Sequence, residues 1–346
     1  MRQTWRGRSL PRPVEGGGVP FGFRTLGVLC TGSHGAGPGI AGVDPIRCVR
    51  LAAGAAGAER GCMTSTRAAL AALMTCTTAL ALMGASAPVP YPPASKGDRW
   101  PQGTVRTVGK LVAKLPNRQA ESCSAAVVDS PSGSVVATAA HCIASPERPH
   151  KPEAMYFQPA YEGGKRSKRG KGDGPKSVLA HGWKVTAWKT APGWNTEKSL
   201  ESVLAYDWAF LRMEKRGGRT IQDVYGANKL STEPVGEGHT ATLGYPASSP
   251  YDGETLNYCA GDARQYQQGE IPAANVGALS LRPCRLTQGV SGGPWLRDFD
   301  KKRGAGTLVA VTSVGSDDEL LGRPYPESAK GLLKKFGAEK GPRAKG

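Results

Sequence analysis

Three residue types in this chain, at their particular spacing, could carry out nucleophilic acyl transfer. The first is a serine among glycines, in Gly289-Val290-Ser291-Gly292-Gly293-Pro294-Trp295. Glycine lets the backbone approach a ligand closely and take φ values that other residues avoid. A nucleophilic serine needs such surroundings, because backbone N–H groups beside it must aim at the oxygen that becomes negative. Serine alone is a weak nucleophile and needs a base, itself held by a third group. Ser-Gly-Gly-Pro is also an ordinary turn, so the base and its orienter decide between the two.

Of the five histidines, His141 stands apart. It ends the small and β-branched run Val135-Val136-Ala137-Thr138-Ala139-Ala140 and is followed by Cys142. A general base must be held within hydrogen-bond reach of its nucleophile, and a neighbouring disulfide is a suitable anchor. His34 lies in an unusual leader, and His150, His181 and His239 sit in polar, loop-like stretches. The acid that orients an imidazole should be rigid and partly buried. Asp207 heads the apolar segment Trp208-Ala209-Phe210-Leu211, whereas Asp298 and Asp300 sit among Lys and Arg as solvated acids do. A strand-end cap is the plainer reading of Asp207 taken alone. Together the candidates run His141, Asp207, Ser291, with separations of 66 and 84 residues.

These residues must be positioned by short strands. With 47 Gly and 27 Pro in 346 residues, the composition suits a loop-rich β protein. Candidate strands cover 105–111, 124–128, 134–139, 182–188, 209–213, 240–243 and 307–314, with turn residues between them. Helical periodicity is clearest at 327–336, where Leu332, Leu333 and Phe336 share a face. Many short strands argue for a sandwich or barrel. Residues 1–62 lack Lys and hydrophobic periodicity, and are read as a mistranslated or disordered leader. Residues 63–87 have the plan of a secretory signal peptide. Arg67 gives a positive start, 68–83 form an apolar run, and Gly84-Ala85-Ser86-Ala87 supply small residues for cleavage. The Pro-rich stretch 88–103 reads as a linker or propeptide remnant, 104–336 as one domain, and 337–346 as a basic tail.

Export makes disulfides the expected use of the four remaining cysteines, Cys123, Cys142, Cys259 and Cys284. Three pairings are open. The local one, 123 with 142 and 259 with 284, closes loops worth roughly 3 kcal/mol each. A metal site is the weaker alternative, since no Cys-x-x-Cys and no histidine cluster accompany them.

On Thr138-Ala139-Ala140-His141-Cys142, Asp207-Trp208-Ala209-Phe210-Leu211 and Gly289-Val290-Ser291-Gly292-Gly293-Pro294, the chain resembles the chymotrypsin-like serine peptidases. The order His, Asp, Ser matches that fold. Val108-Gly109-Lys110-Leu111, Phe157-Gln158-Pro159-Ala160-Tyr161, Pro192-Gly193-Trp194 and Gly244-Tyr245-Pro246 make it similar to the bacterial V8-like (glutamyl endopeptidase-like) branch. The resemblance implies an all-β fold of two six-stranded antiparallel β-barrels with the triad between them. His141 would be the base, Asp207 its orienter, and the N–H groups of Gly289 and Ser291 an oxyanion hole. Arg285, Gln288, Ser313 and Gly315 would line the substrate cleft. Ser313 would also support the aspartate, and Cys123–Cys142 would be the bridge of the histidine loop.

Two departures matter. Val290 stands where trypsin-like enzymes carry an Asp that pairs with a freshly cut N-terminus and completes the oxyanion hole. Activation by that route is not expected, and the direction of the Gly289 N–H becomes the question. Arg285 stands six residues before Ser291, where those enzymes carry a pocket Asp, which argues against cleavage after Lys or Arg.

The expected function is a secreted serine endopeptidase acting on protein or peptide substrates as a monomer, with no cofactor and no metal. The alternative is an inactive binding protein on the same fold. The net charge of +17 permits polyanion binding, but no nucleic-acid module is recognisable. The Lys- and Arg-rich loop 163–176 reads as a solvated loop, or as a docking patch for an anionic cell-surface polymer.

Overall fold

The run Val135-Val136-Ala137-Thr138 carries no charge and only small or β-branched side chains, and it forms a strand buried along its whole length. Ala209–Met213 beside it, Arg212 included, is also buried along its whole length. Such strands need other strands on both sides, and a closed barrel supplies them. The computed structural model describes residues 91–117, 119–163 and 174–338. Its strands are β1 (Ser95–Arg99), β2 (Val108–Lys114), β3 (Ala120–Val128), β4 (Val135–Thr138), β5 (Ala154–Pro159), β6 (Trp183–Thr190) and β7 (Ala209–Met213). They continue with β8 (Lys229–Leu230), β9 (Gly238–Gly244), β10 (Asn257–Gln265), β11 (Leu279–Leu281), β12 (Pro294–Asp300), β13 (Ala305–Gly315) and β14 (Leu320–Pro324).

The first barrel closes in the order β2-β3-β4-β7-β6-β5. The second runs β10-β11-β14-β13-β12-β9 and closes through β9 on β10, with β1 added to β10 and β8 beside β13. Two six-stranded antiparallel barrels are thus formed, as the resemblance implied. The helix Glu327–Ala338 follows β14 and buries Ala329, Leu333 and Phe336. Its Phe336 ring lies 4.3 Å from the Arg212 guanidinium of β7, so the end of the chain is fastened to the first barrel.

The linker reading of 88–103 is corrected over the described residues 91–103. Residues Ser95–Arg99 are a strand paired with β10, with Ser95 opposite Ala260 and Arg99 opposite Asn257. Trp100, only 2 % exposed, packs its ring 5.1 Å from Tyr258 and 5.4 Å from Phe299. The prolines suggested a linker, but burial of Trp100 and the ladder to β10 outweigh that local preference. Six further strands, β5, β8, β10, β11, β12 and β14, lie outside the expected set. In β10 and β12 charged residues interrupt the apolar pattern, so strand identity comes from pairing with neighbours rather than from local alternation.

A charged pair ties the two barrels together. Lys110 of β2 is 2 % exposed, and its Nζ donates to Gly253 O at 2.9 Å and meets Glu254 Oε1 at 3.1 Å. Tyr161 OH donates to the other Glu254 oxygen at 2.6 Å, and the Tyr161 ring lies 5.0 Å from the lysine. Burial pulls the Lys110 pKa below the usual lysine value, and the Glu254 charge opposes that pull. Both carboxylate oxygens are partnered, which is the condition for a buried ion to be tolerated.

Candidate active site

His141 lies in a short 3-10 turn, Ala140–Cys142, directly after β4. Ala139 and Ala140 are fully buried, so the turn sits against the barrel with no room for larger side chains. Cys142 is bonded to Cys123 of β3, and Cys259 to Cys284. The local pairing is therefore the one found. The first bridge closes a separation of 19 residues around the histidine turn. Replacing both Cys123 and Cys142 with alanine is expected to cost about 3 kcal/mol, which lowers the melting temperature by roughly 6–12 °C in calorimetry.

Asp207 is fully buried. Its Oδ1 accepts the backbone N–H of His141 at 2.9 Å, and its Oδ2 lies 2.8 Å from His141 Nδ1. A carboxylate only accepts, so Nδ1 carries the proton and Nε2 is left with a free lone pair. Ser313 Oγ donates to the same Oδ2 at 2.6 Å. The register of β13 against β14 shifts between Thr312 and Val314, and a bulge of this kind re-aims a side chain. Burial raises the Asp207 pKa, but the His141 charge and the bonds from His141 and Ser313 outweigh it and hold the acid below the usual range. Burial likewise lowers the His141 pKa, and the Asp207 charge and hydrogen bond outweigh it, so the imidazole sits above its ordinary value. On its far side the histidine turn is held by Arg148, which donates to His141 O at 2.9 Å and pairs with Glu121 at 2.7 Å.

Ser291 stands next to this turn, with its carbonyl oxygen 3.7 Å from Cys142 Sγ. Among the described residues the Ser291 hydroxyl makes no hydrogen bond. In unliganded sites the bond from nucleophile to base is often long and tightens only when substrate binds. The glycines around it are required by geometry. Gly289 has φ +101°, and a Cβ there would lie 2.4 Å from Tyr245 O. Gly292 has φ +79°, and a Cβ would come 2.1 Å from Thr138 Oγ1.

The backbone N–H groups of this turn can be accounted for one by one. Gly292 N–H donates to Thr312 O at 2.9 Å and Gly293 N–H to Val290 O at 2.8 Å, while Val290 N–H reaches Thr287 O at 3.4 Å. Among the described residues, the N–H groups of Gly289 and Ser291 donate to nothing. The carbonyl of the 288–289 peptide is occupied, since Ala247 N–H donates to Gln288 O at 2.6 Å. In a trans peptide the N–H then points the opposite way. Two unpartnered donors beside a serine suit an oxygen on which negative charge develops. Val290 itself is 3 % exposed and packs with Leu286, Cys284 and Trp295 in the core of the second barrel.

A cavity of about 680 Å³ opens at Ser291, lined among others by Arg285, Gln288, Val290, Ser313, Gly315 and Leu320. All four residues expected to line the cleft are there. Arg285 does not sit at its floor, however. Its side chain is 67 % exposed and lies 3.6 Å from Asp318. Thr312, also in the lining, has its hydroxyl engaged by Thr242 Oγ1 and Trp295 Nε1, each at 3.0 Å. Among the described residues, the one cluster with metal-like spacing is Cys123, His141 and Cys142. Its two sulfurs are bonded to each other, which leaves a single free donor.

No family model and no curated protein matches the sequence. Solved structures do. A thermostable serine protease, AL20, from an extremophilic microorganism is 25 % identical, with a TM-score of 0.55 over 68 % of this chain and 99 % of its own. The protease Anisep from Arthrobacter nicotinovorans is 24 % identical, with a TM-score of 0.56 over 68 % of this chain and 98 % of its own. The fold is that of the chymotrypsin-like serine proteases. Peptide hydrolysis is the chemistry of these neighbours.

Several residues of the site were not among those expected from the sequence. Ser124 and Tyr245 support the glycine turn, Arg148 the histidine turn, and Ser248, Ser249 and Pro250 line the cavity. Tyr245 belongs to a segment noted for its resemblance alone, and nothing in the local pattern marks the others. The signal segment 63–87 and residues 164–173 of the basic loop lie outside the described residues, as does the tail from 339 onward.

Proposed function

We propose that this chain is a serine endopeptidase that cleaves peptide bonds through an acyl-enzyme on Ser291. The observation that carries the reading is the grip on His141. One buried carboxylate holds both its backbone N–H and its Nδ1, which presents Nε2 as a base on the turn beside Ser291. His141 takes the Ser291 proton as the hydroxyl attacks the carbonyl carbon, and returns it to the leaving amine. Asp207 balances the imidazolium, and the free N–H groups of Gly289 and Ser291 receive the oxyanion. Water then repeats the sequence against the acyl-serine. The V8-like branch is supported by the quoted motifs. The apolar Leu286, Val290, Val314 and Leu320 around the cavity, with Arg285 at its rim, favour an uncharged side chain before the scissile bond.

A fluorophosphonate probe tests the chemistry. The purified protein is expected to be labelled, with the adduct on the Ser291 peptide in mass spectrometry and none on Ser291→Ala. Equal absence of label from both proteins would leave the chain as a non-catalytic protein of protease fold. We further propose export, on the apolar run 68–83 and the small residues after it. Expression from Met63 in a secreting host is then expected to yield a protein whose N-terminal sequence starts between 85 and 87. Retention in the cell with Met63 intact would overturn it.

A further inference from the structure

Glycine is at its least self-determined where it matters most in this site. Gly289 is at φ +101°, and a glycine can leave that conformation without steric cost. Something outside the turn must hold it. Val290, the next residue, cannot help through its side chain, which is apolar and directed into the core.

We propose that Ser124, on β3 of the first barrel, is the positioning residue that holds the oxyanion turn open, so that the site assembles by the docking of two barrels rather than by a cut chain end. The inference rests on the serine-peptidase reading and names how that same site is controlled.

Ser124 is fully buried, and all of its polar groups are in use. Its Oγ donates to Gly289 O at 2.8 Å and accepts the N–H of Tyr245 at 2.9 Å. Its backbone N–H donates to Ser291 O at 2.8 Å, and its carbonyl accepts Thr138 Oγ1 at 3.0 Å. One residue therefore grips the turn at 289 and at 291, on both sides of Val290. A hydroxyl has a single proton. The acceptance from Tyr245 leaves that proton to Gly289 O and fixes its direction.

The consequence follows through the peptide planes. Four successive carbonyls of the turn are occupied: Gln288 O by Ala247 N–H, Gly289 O by Ser124 Oγ, Val290 O by Gly293 N–H, and Ser291 O by Ser124 N–H. The first and third fix which way the Gly289 and Ser291 N–H groups point. The second locks the plane between them. Without the Ser124 hydroxyl the 289–290 plane keeps only the long bond from Val290 N–H to Thr287 O at 3.4 Å, and its neighbour at Gly289, with no Cβ to resist, can turn with it. Gly244 approaches the serine closely, since a Cβ there would lie 2.7 Å from its Oγ.

The test compares the parent, Ser124→Ala and Ser124→Thr as full chains. Three readouts are taken: the rate of acylation by a fluorophosphonate, the melting temperature, and amide hydrogen exchange in peptides spanning 287–292. Ser124→Ala is expected to acylate about 10–100-fold more slowly, a loss below that of a whole oxyanion donor. Its exchange at 287–292 should quicken, with a melting temperature within a few degrees of the parent. Ser124→Thr, which keeps the hydroxyl, should restore acylation to within about threefold of the parent, an outcome that packing alone does not give. Acylation of Ser124→Ala within twofold of the parent overturns the proposal. If the parent is not acylated at all, the peptidase reading fails separately and exchange decides the clamp: faster exchange at 287–292 in Ser124→Ala upholds it, and unchanged exchange overturns it.

Discussion

Ser291→Ala is expected to lower kcat on a peptide drawn from a cleavage-profile library by about 10⁴–10⁶-fold, with KM changed little. The size follows from what the substitution removes. The hydroxyl makes no hydrogen bond within the described residues, so its loss should leave the turn, the cavity and the Gly289 and Ser291 N–H groups in place. Substrate binding survives and the covalent route does not. The remaining rate comes from orientation and from the two N–H donors acting on attack by water. A fall of only a few-fold would show that another group is the nucleophile. The melting temperature should stay close to the parent, since no buried contact is lost.

Asp207→Asn is the second large effect, about 10⁴-fold on kcat. The asparagine fits the same space but offers an amide as well as a carbonyl oxygen. Two donors now point at that position, the His141 N–H and Ser313 Oγ, besides the imidazole. If the amide group faces Nδ1, the ring proton moves to Nε2, and the imidazole cannot accept from Ser291. The pH profile adds a readout that misfolding does not produce. A base must be neutral, so acylation is lost as pH falls through the His141 pKa. In the parent, Asp207 holds that pKa above the ordinary value, so the acid limb should lie above about pH 6.5. In Asp207→Asn the charge is gone while burial still disfavours the imidazolium. The limb should therefore move to lower pH as the plateau falls. A limb that does not move between the two proteins would remove Asp207 from contact with the working imidazole.

Much of this geometry was legible because it depends on local residue types. The strand Val135–Thr138 with its small-residue exit, and Ala209–Met213 behind an acid, are recognisable without knowledge of distant contacts. These two strands are also neighbours, with Thr138 opposite Ala209, which is why His141 and Asp207 meet. The cysteine pairs were open among three arrangements until the fold set two of them side by side. What could not be read depends on partners far along the chain. Ser124 meets Gly289 across 165 residues, and Lys110 meets Glu254 across 144. A serine after a cysteine, or a lysine in an apolar strand, carries no local mark of such a role. The segment before Val105 departs from its local pattern for the opposite reason. Its prolines are a strong local signal, but Trp100 and the ladder to β10 decide its structure. The position of Arg285 was inferred by counting from Ser291, which gives the wall of the cavity but not that its guanidinium turns outward to Asp318.

The pair between Lys110 and Glu254 divides the protein's charge into two populations. Among the described residues, cations such as Lys114, Arg264, Arg282 and Arg285 stand at the surface, where added salt shortens the reach of each to about 10 Å at 0.1 M. Ions of the medium do not enter the space around Lys110, which is walled by Tyr161, Gly253 and Glu254. Brine should therefore weaken the exposed ion pairs and leave the seam between the two barrels as firm as before. Surface charge and integrity become separately adjustable, the first by the ionic strength of the surroundings and the second only by changes to the chain itself.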